Sequence, residues 1–245
     1  MLKMCHIRGV VIELESVDIQ VAMTELRELY VGELNVLDFF TASKLQSLAI
    51  ADNYLAVKYS PTMSRRSVPR IARFLRRSRC QLQSLNMHMK IFQSESSALI
   101  SGVLSSDACS TISHLTFKLG SQLKKVSNTL DSSWVLPNLR HLVISMEHHY
   151  FGTGKTKRLV DMVRSRRDTT LLKSIKVQLG HSYHHHRGSD EDEDEGEDMD
   201  RTETDMEVGI RALAGEKFEV QVEKCDLVDK AVQSLFWDGE IFRCY

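Results

Sequence analysis

The segment GTGKT at residues 152–156 has the residue types of a phosphate-binding loop. In such a loop the backbone amides of a glycine-rich turn surround a phosphate, a lysine adds its charge, and the threonine hydroxyl binds magnesium. The full pattern needs a glycine five positions before Gly154, and His149 stands there. No apolar strand ends directly before the segment either. We therefore interpret GTGKT as a turn that leads into a helix, and we expect no nucleotide site.

Two groups of histidines have the chemistry to bind a transition metal: His148 with His149, and His181 with 184–186. Imidazoles near carboxylates take up Zn, Ni or Cu weakly. The second group lies in a polar segment without apolar residues to fix ligand geometry, so we expect no functional metal site and no cofactor. The patterns GxSxG and HExxH are also absent. We therefore predict that the chain is not an enzyme.

The five cysteines are scattered and form no CxxC pair. They indicate neither a disulfide framework nor a zinc module. They favour reduced thiols in a cytoplasmic or nuclear protein. No apolar stretch reaches the length of a membrane span, so we expect no membrane association.

A net charge of −1 hides two oppositely charged parts. The run DEDEDEGEDMD at 190–200 holds nine acids, and the rest of the chain carries a net charge of +8. Such a run repels itself and resists burial. Three interpretations are open: an inert solvated insertion, a binding segment for a basic partner, or a contact with the arginine-rich helix of the same chain.

That helix is predicted over 67–79, and seven arginines lie between positions 65 and 79. Helical spacing places Arg66, Arg70, Arg73 and Arg77 on one face, opposite the apolar stripe. This basic face has three open interpretations: a solvated surface, a site for an acidic protein partner, or a nucleic-acid site. No aromatic residues are interleaved for base stacking, so we expect no nucleic-acid partner.

The whole chain is organised by a short apolar phrase, a leucine followed three and five positions later by further apolar residues. The last two positions have strand spacing and point to one face. The copies are LRELYV at 26–31, LQSLAI at 45–50, LQSLNM at 82–87, ISHLTF at 112–117, LRHLVI at 139–144 and LKSIKV at 172–177, with IRGVVI at 7–12 as a weaker first copy and FEVQV at 218–222 as the last.

Helical patterns at 67–79, 96–108, 155–167 and 204–215 alternate with the later copies. The order of helix and strand predicts an α/β fold, in which about 6–8 short strands form a parallel sheet. We predict an irregular leucine-rich-repeat-like solenoid with its helices on the convex side. We divide it into a solenoid over 1–180, a disordered His/acidic insertion over 181–206, and a last repeat with a C-terminal cap over 207–245.

The position between the two inward apolar residues of each phrase points away from the core. These positions predict a concave, partner-binding surface. We assign to it Tyr30, Ala49, Asn86, Thr116, Val143 and Lys176, with His88, Lys118, His141 and Gln178 beside them.

LPNLRHLVISM, RLVDMVRSRR, LKSIKVQL and EVGIRALAGEKFEVQVE, in this order, resemble the leucine-rich region of F-box proteins of mushroom-forming fungi. The resemblance runs from about Leu26 to Lys224. It implies a protein-binding repeat domain that holds the substrate of a cullin ubiquitin ligase, whose Skp adaptor binds an F-box. No F-box pattern is found here, so we expect the adaptor to bind only if an F-box lies upstream. The alternative is an electrostatic binding or scaffold protein that uses the basic helix and the acidic run and is unrelated to ubiquitin transfer.

Overall fold

The computed structural model of the protein describes residues 2–7, 20–32, 34–50, 67–88, 96–119, 122–147, 153–169, 171–181 and 206–226. The strands, in chain order, are β1 Met4–Ile7, β2 Val21–Ala22, β3 Glu28–Val31, β4 Phe40–Thr41, β5 Ser47–Ile50, β6 Ser84–His88, β7 His114–Leu119, β8 His141–Glu147, β9 Ser174–His181 and β10 Glu219–Asp226. The helices are α1 Ser67–Ser78, α2 Ser97–Leu104, α3 Leu123–Leu130 and α4 Thr153–Thr169, with further helical residues at 206–211, and 3₁₀ turns lie at Leu34–Phe39 and Asp107–Cys109.

Eight of the strands form one parallel sheet, in the order β1-β3-β5-β6-β7-β8-β9-β10. The short strands β2 and β4 pair separately. The strands of the large sheet stand side by side in chain order. They are parallel because each connection crosses over and returns the chain to the same end of the sheet. The predicted α/β class and the parallel sheet of 6–8 strands are confirmed.

One face of the sheet is apolar and forms the core. The inward positions of neighbouring phrases stand side by side, as Leu48 does with Leu85 and Phe117 with Ile144. Helix residues such as Ile71 and Phe74 belong to the same cluster of buried side chains. The helices therefore cover this face. The apolar stripe of each helix packs against the apolar positions of the strands, and together they form one core.

A repeated backbone arrangement joins successive units. The carbonyl just before each of the first six strands of the large sheet accepts two N–H groups from the next unit; for example, the Gln83 carbonyl accepts from Ser113 and His114 at 2.9 and 3.1 Å. The same double acceptance occurs at the carbonyls of Lys3, Arg27, Gln46, Ser113 and Arg140. The phrases are thus equivalent in backbone geometry as well as in sequence.

The predicted first strand is wrong in position. Strand β1 is Met4–Ile7, and its pairing of Cys5 with Leu29 aligns LKMCHI, residues 2–7, with the phrase LRELYV. A cysteine occupies the inner apolar position, and Cys5 packs against the core. Free cysteine packs like a small apolar residue. The copy of the phrase at 2–7 was missed because Cys5 stands where the other copies carry an aliphatic residue. Residues 8–12 of IRGVVI lie outside the described part of the chain.

The predicted helices are present, but the one predicted over 96–108 ends at Leu104, before the 3₁₀ turn Asp107–Cys109, and the last one is described over 206–211. Helix α3 was not predicted, because LKKVSNTL carries only three strongly apolar residues. The segment 207–226 continues the sheet through the pairing of β10 with β9. The predicted insertion is outside the described residues except for His181 and Met206, and the C-terminal cap is outside them from 227 onward.

Within the described residues, no helix is long and apolar enough to cross a membrane. Cys80 and Cys109 are buried free thiols, and desolvation by burial raises the pKa of each to about 11.

Candidate binding site on the polar face of the sheet

The face opposite the core, here called the polar face, is built from three rows of side chains that run across the strands. The register aligns the first row as Met4, Glu28, Ser47, Ser84, His114, His141, Ser174 and Glu219. It aligns the second row as His6, Tyr30, Ala49, Asn86, Thr116, Val143, Lys176 and Gln221. The third row is His88, Lys118, Ser145, Gln178 and Glu223.

All the residues predicted for the binding surface therefore lie on one face, and six of them share the second row. The middle of that row is less exposed than expected: Tyr30, Asn86 and Thr116 retain 8, 7 and 8% of their accessible surface. Neighbouring strands lie about 4.8 Å apart, so side chains in register cover one another. The Tyr30 ring also stacks on His6, with 5.4 Å between ring centroids. The middle of the polar face is therefore a packed floor.

Asn86 lies in the middle of this floor with an unused hydrogen-bond donor. Its Nδ2 is buried and has no hydrogen-bond partner among the described residues. A buried donor without a partner costs about 1–3 kcal/mol of stability. Its neighbours in the row, Ala49 and Thr116, are small. An acceptor such as a carbonyl oxygen, brought in by a partner, would satisfy the amide and recover this cost.

Beside Asn86, the first row carries a stacked pair of imidazoles. The rings of His114 and His141 have centroids 4.5 Å apart and planes 19° apart. The Nδ1 atoms form hydrogen bonds of 2.8 Å with Ser113 and Ser174, respectively. Desolvation by burial lowers the pKa of both histidines, and nearby positive charges, including Arg140, lower it further. At neutral pH the pair is therefore an uncharged, flat surface bordered by hydroxyl groups.

The lowered pKa values predict a loss of stability on mild acidification. Below the unfolded-state pKa of about 6.5, the unfolded chain binds protons that the folded pair binds only at lower pH. The stabilisation is therefore complete above about pH 6.5 and falls as the pH drops toward the lowered folded pKa. Urea unfolding between pH 7.5 and pH 5, approximately, should show this decrease, and the double variant His114→Gln/His141→Gln should show less of it.

His6→Gln is the matched control, because His6 is an exposed residue of the same face on the edge strand. The double variant should change the pH dependence of unfolding more than His6→Gln does, because His114 and His141 are less exposed than His6. Equal slopes for the parent chain and the double variant would contradict the role assigned to the pair.

At the end of the polar face near β10, side chains of neighbouring strands are joined by hydrogen bonds and an ion pair. Ser145 Oγ donates to Gln178 Oε1 at 2.6 Å, and Gln178 Nε2 donates to Glu223 Oε2 at 3.5 Å. Lys176 forms a 2.8 Å ion pair with Glu223. Two of the predicted binding residues, Lys176 and Gln178, are thus held by neighbours. Lys176 and Gln178 therefore stabilise the edge of the site, whereas Asn86 has a donor that a ligand can use.

Sequence reasoning missed His114, although it had selected His141. The two occupy the same position in their phrases, ISHL and LRHL, and the register pairs them directly. Alignment of the phrases would have found the pair. The side chain of His88 is outside the described part, and only its place in the third row is defined.

The basic face of helix α1 has internal partners. Asp38, in the preceding unit, pairs with Arg70 at 3.2 Å and Arg73 at 3.4 Å. Arg77 Nη2 donates to the carbonyl oxygens of Leu37 at 2.5 Å and Phe40 at 3.3 Å. These arginines attach the helix to the 3₁₀ turn before it. Arg66 lies outside the described residues, and a ligand for this face stays a prediction.

Several other sequence features cannot be placed. Gly152, His148, His149, 184–186 and the acidic run 190–200 are outside the described residues. GTGKT otherwise forms the first turn of helix α4. In the part of the chain that is described, no group of three or more His, Cys, Asp or Glu side chains could hold a metal ion.

Comparison of the chain with protein-family models, with curated proteins and with solved structures gave no match.

Proposed function

We propose that this chain is a protein-binding repeat domain with the architecture of an irregular leucine-rich-repeat solenoid. Its concave surface is the polar face, which holds an extended segment of a protein partner. The proposal is supported by the equivalence of the units: they share a sequence phrase and a strand register, and the first six strands of the large sheet share the double hydrogen bond to the preceding carbonyl. Stacked units of this kind create a continuous surface suited to extended ligands.

The observation that carries the proposal is the unpartnered amide of Asn86 on the floor of the polar face. The stacked pair His114 and His141 lies beside it and offers an uncharged surface for an apolar or aromatic group. A polypeptide supplies both complements, since its backbone carbonyls accept hydrogen bonds and its side chains pack on rings. The proposal assigns no catalysis and no cofactor to the chain.

The resemblance of the repeats to the leucine-rich region of fungal F-box proteins supports a more specific role. In that role the domain is the substrate receptor of a cullin ubiquitin ligase in the cytoplasm or nucleus. The Skp adaptor would bind to an F-box upstream of these repeats, and the polar face would bind the substrate.

A photo-crosslinking experiment tests the binding surface. Benzoylphenylalanine at Val143, a partly buried position of the second row, is compared with the same residue at Lys124, which is exposed on helix α3. We expect the Val143 probe to capture a set of proteins from the native source that the Lys124 probe does not. Capture should persist at moderate salt, because a desolvated contact is screened little. Identical sets from the two probes would exclude the polar face as the site.

The ligase role needs a separate measurement. The endogenous protein is captured through its C-terminus, and its intact mass is compared with the 28.0 kDa of this chain. A heavier product that carries the Skp adaptor is the expected result. A product of 28.0 kDa without the adaptor would contradict the ligase role and leave the protein-binding role to the crosslinking test.

A further inference from the structure

A second candidate site lies between helices α1 and α2, in a groove of about 790 Å³. One wall carries Arg73, Arg76 and Arg79, which follow one another at helical spacing. This is a different set from the predicted basic face, because only Arg73 belongs to both. The lining also includes the buried apolar residues Leu75 and Val103, here called the floor of the groove.

The arginines of the groove differ in their partners. Arg73 makes one long contact, 3.4 Å, with Asp38. Arg76 and Arg79 are exposed, and among the described residues their guanidinium groups have no ion-pair or hydrogen-bond partner. The neighbouring arginines of the same helix serve the fold, whereas these two leave their guanidinium groups available. Planar guanidinium groups bind carboxylates through paired hydrogen bonds.

The backbone at Arg79 adds an independent observation. Its φ is 49°, and its N–H donates to the Leu75 carbonyl at 3.0 Å, which is the left-handed end of a helix. Glycine is the usual residue there, and another residue costs about 1 kcal/mol. The chain instead carries an arginine whose side chain lines the groove. Strain of this kind is often kept where the side chain has a function.

We propose that this groove binds an acidic segment of a partner polypeptide, with carboxylates on Arg76 and Arg79 and apolar atoms of the segment on the floor. Asp107 on the opposite wall carries the same charge as such a ligand and limits its affinity. The site is separate from the polar face, so its test is independent of the proposed function.

The direct test is fluorescence anisotropy of the full chain with labelled hexaglutamate, with hexaglutamine as the neutral probe. Arg76→Ser/Arg79→Gly should weaken hexaglutamate binding about tenfold, since two charge-assisted contacts are lost. Glycine suits the positive φ, so the helix end is retained. Lys124→Ser/Lys157→Ser removes the same charge from exposed positions of other helices and should have little effect. Equal losses in both double variants would overturn the proposal.

Two further variants test the groove itself. A Cβ at Gly102 would meet nothing within 4 Å, so Gly102→Leu can add bulk to the groove without changing any charge. It should weaken hexaglutamate binding, and Asp107→Asn should strengthen it. Unchanged affinity in Gly102→Leu would mean diffuse attraction to the surface and would overturn the proposal.

Three further measurements distinguish an acidic polypeptide from other ligands of the groove. Binding should weaken from about 0.1 M to about 1 M salt, where the screening length falls from about 10 to about 3 Å. Displacement by inorganic phosphate as effective as by unlabelled hexaglutamate would indicate a simple anion site and contradict a polypeptide ligand. Binding that occurs only after the acids of 190–200 are replaced by amides would identify the chain's own acidic run as the occupant, again against the proposal.

Discussion

Replacing Arg166 with methionine should lower the free energy of unfolding by about 4 kcal/mol, more than most substitutions outside an apolar core. Arg166 lies on helix α4 and is only 1% exposed. Its guanidinium group donates to four carbonyl oxygens, one at the end of helix α3 and three on the loop after it: Leu130, Ser132, Val135 and Leu136. Burial lowers its pKa to about 10, so the group remains charged at neutral pH.

The size of the effect follows from what the substitution leaves behind. Methionine fills much of the space but has no donor, so the four carbonyls lose their charge-assisted bonds and some remain buried without a partner. The loop that three of them belong to holds Leu136 at a φ of 50°, an unfavourable backbone for leucine. Arg166 therefore fixes the path from helix α3 to strand β8.

Urea unfolding measures the loss, and Arg164→Met is the matched control. Arg164 lies two residues earlier and forms an exposed 3.0 Å pair with Asp161, so its replacement should cost no more than about 0.5 kcal/mol. Arg166→Lys should recover only part of the loss, because an ammonium group cannot reach four carbonyls in the fork geometry of a guanidinium. Equal unfolding midpoints for Arg166→Met and Arg164→Met would show that the carbonyl contacts contribute little.

Arg166 also shows where sequence reasoning succeeds and where it stops. The helical pattern at 155–167 places Leu159, Met162 and Val163 on one apolar stripe, and all three are buried. Helical spacing continues this stripe to Arg166, but an arginine is normally assigned to solvent. The position could be predicted from periodicity, whereas its partners could not. Three of the four partners lie on a loop at least thirty residues earlier that no local pattern defines.

The sheet was predictable because one rule is repeated in every unit. Apolar residues at strand spacing must face a common core, and this fixes the register. Once the register is fixed, the second row follows, and Tyr30, Asn86 and Thr116 align as expected. Their burial and the missing partner of Asn86 were not predictable, because both depend on the neighbouring strands. The same limit applies to Asp38, which the pattern of helix α1 could not identify as the partner of its arginines.

The two proposed sites lie on different sides of the sheet and use different chemistry. The polar face offers neutral donors and rings on a packed floor, whereas the groove beside helix α1 offers exposed positive charge. The first kind of contact depends on burial and varies little with salt, and the second weakens as salt rises. Salt dependence therefore assigns a captured partner to one site or the other.

Replacing Asn86 with valine should raise the free energy of unfolding by about 1–2 kcal/mol and reduce partner binding at the polar face. The stability rises because the substitution removes a buried donor that has no hydrogen bond. Binding falls because the partner loses the amide that we propose it satisfies. Opposite changes in stability and binding are expected of a residue kept for function at a cost to the fold.

Valine also favours strands, so the control must remove that contribution. Ser84→Val places the same residue on the same face of strand β6, two positions earlier, where no unbonded donor is relieved. The increase in unfolding free energy should be larger for Asn86→Val than for Ser84→Val, and crosslinking from benzoylphenylalanine at Val143 should decrease more. If Asn86→Val destabilises the chain, the amide is already satisfied in the folded protein. Because a bound partner would then have no unused donor at Asn86 to satisfy, the polar face would lose the feature that carries its assignment as the binding site.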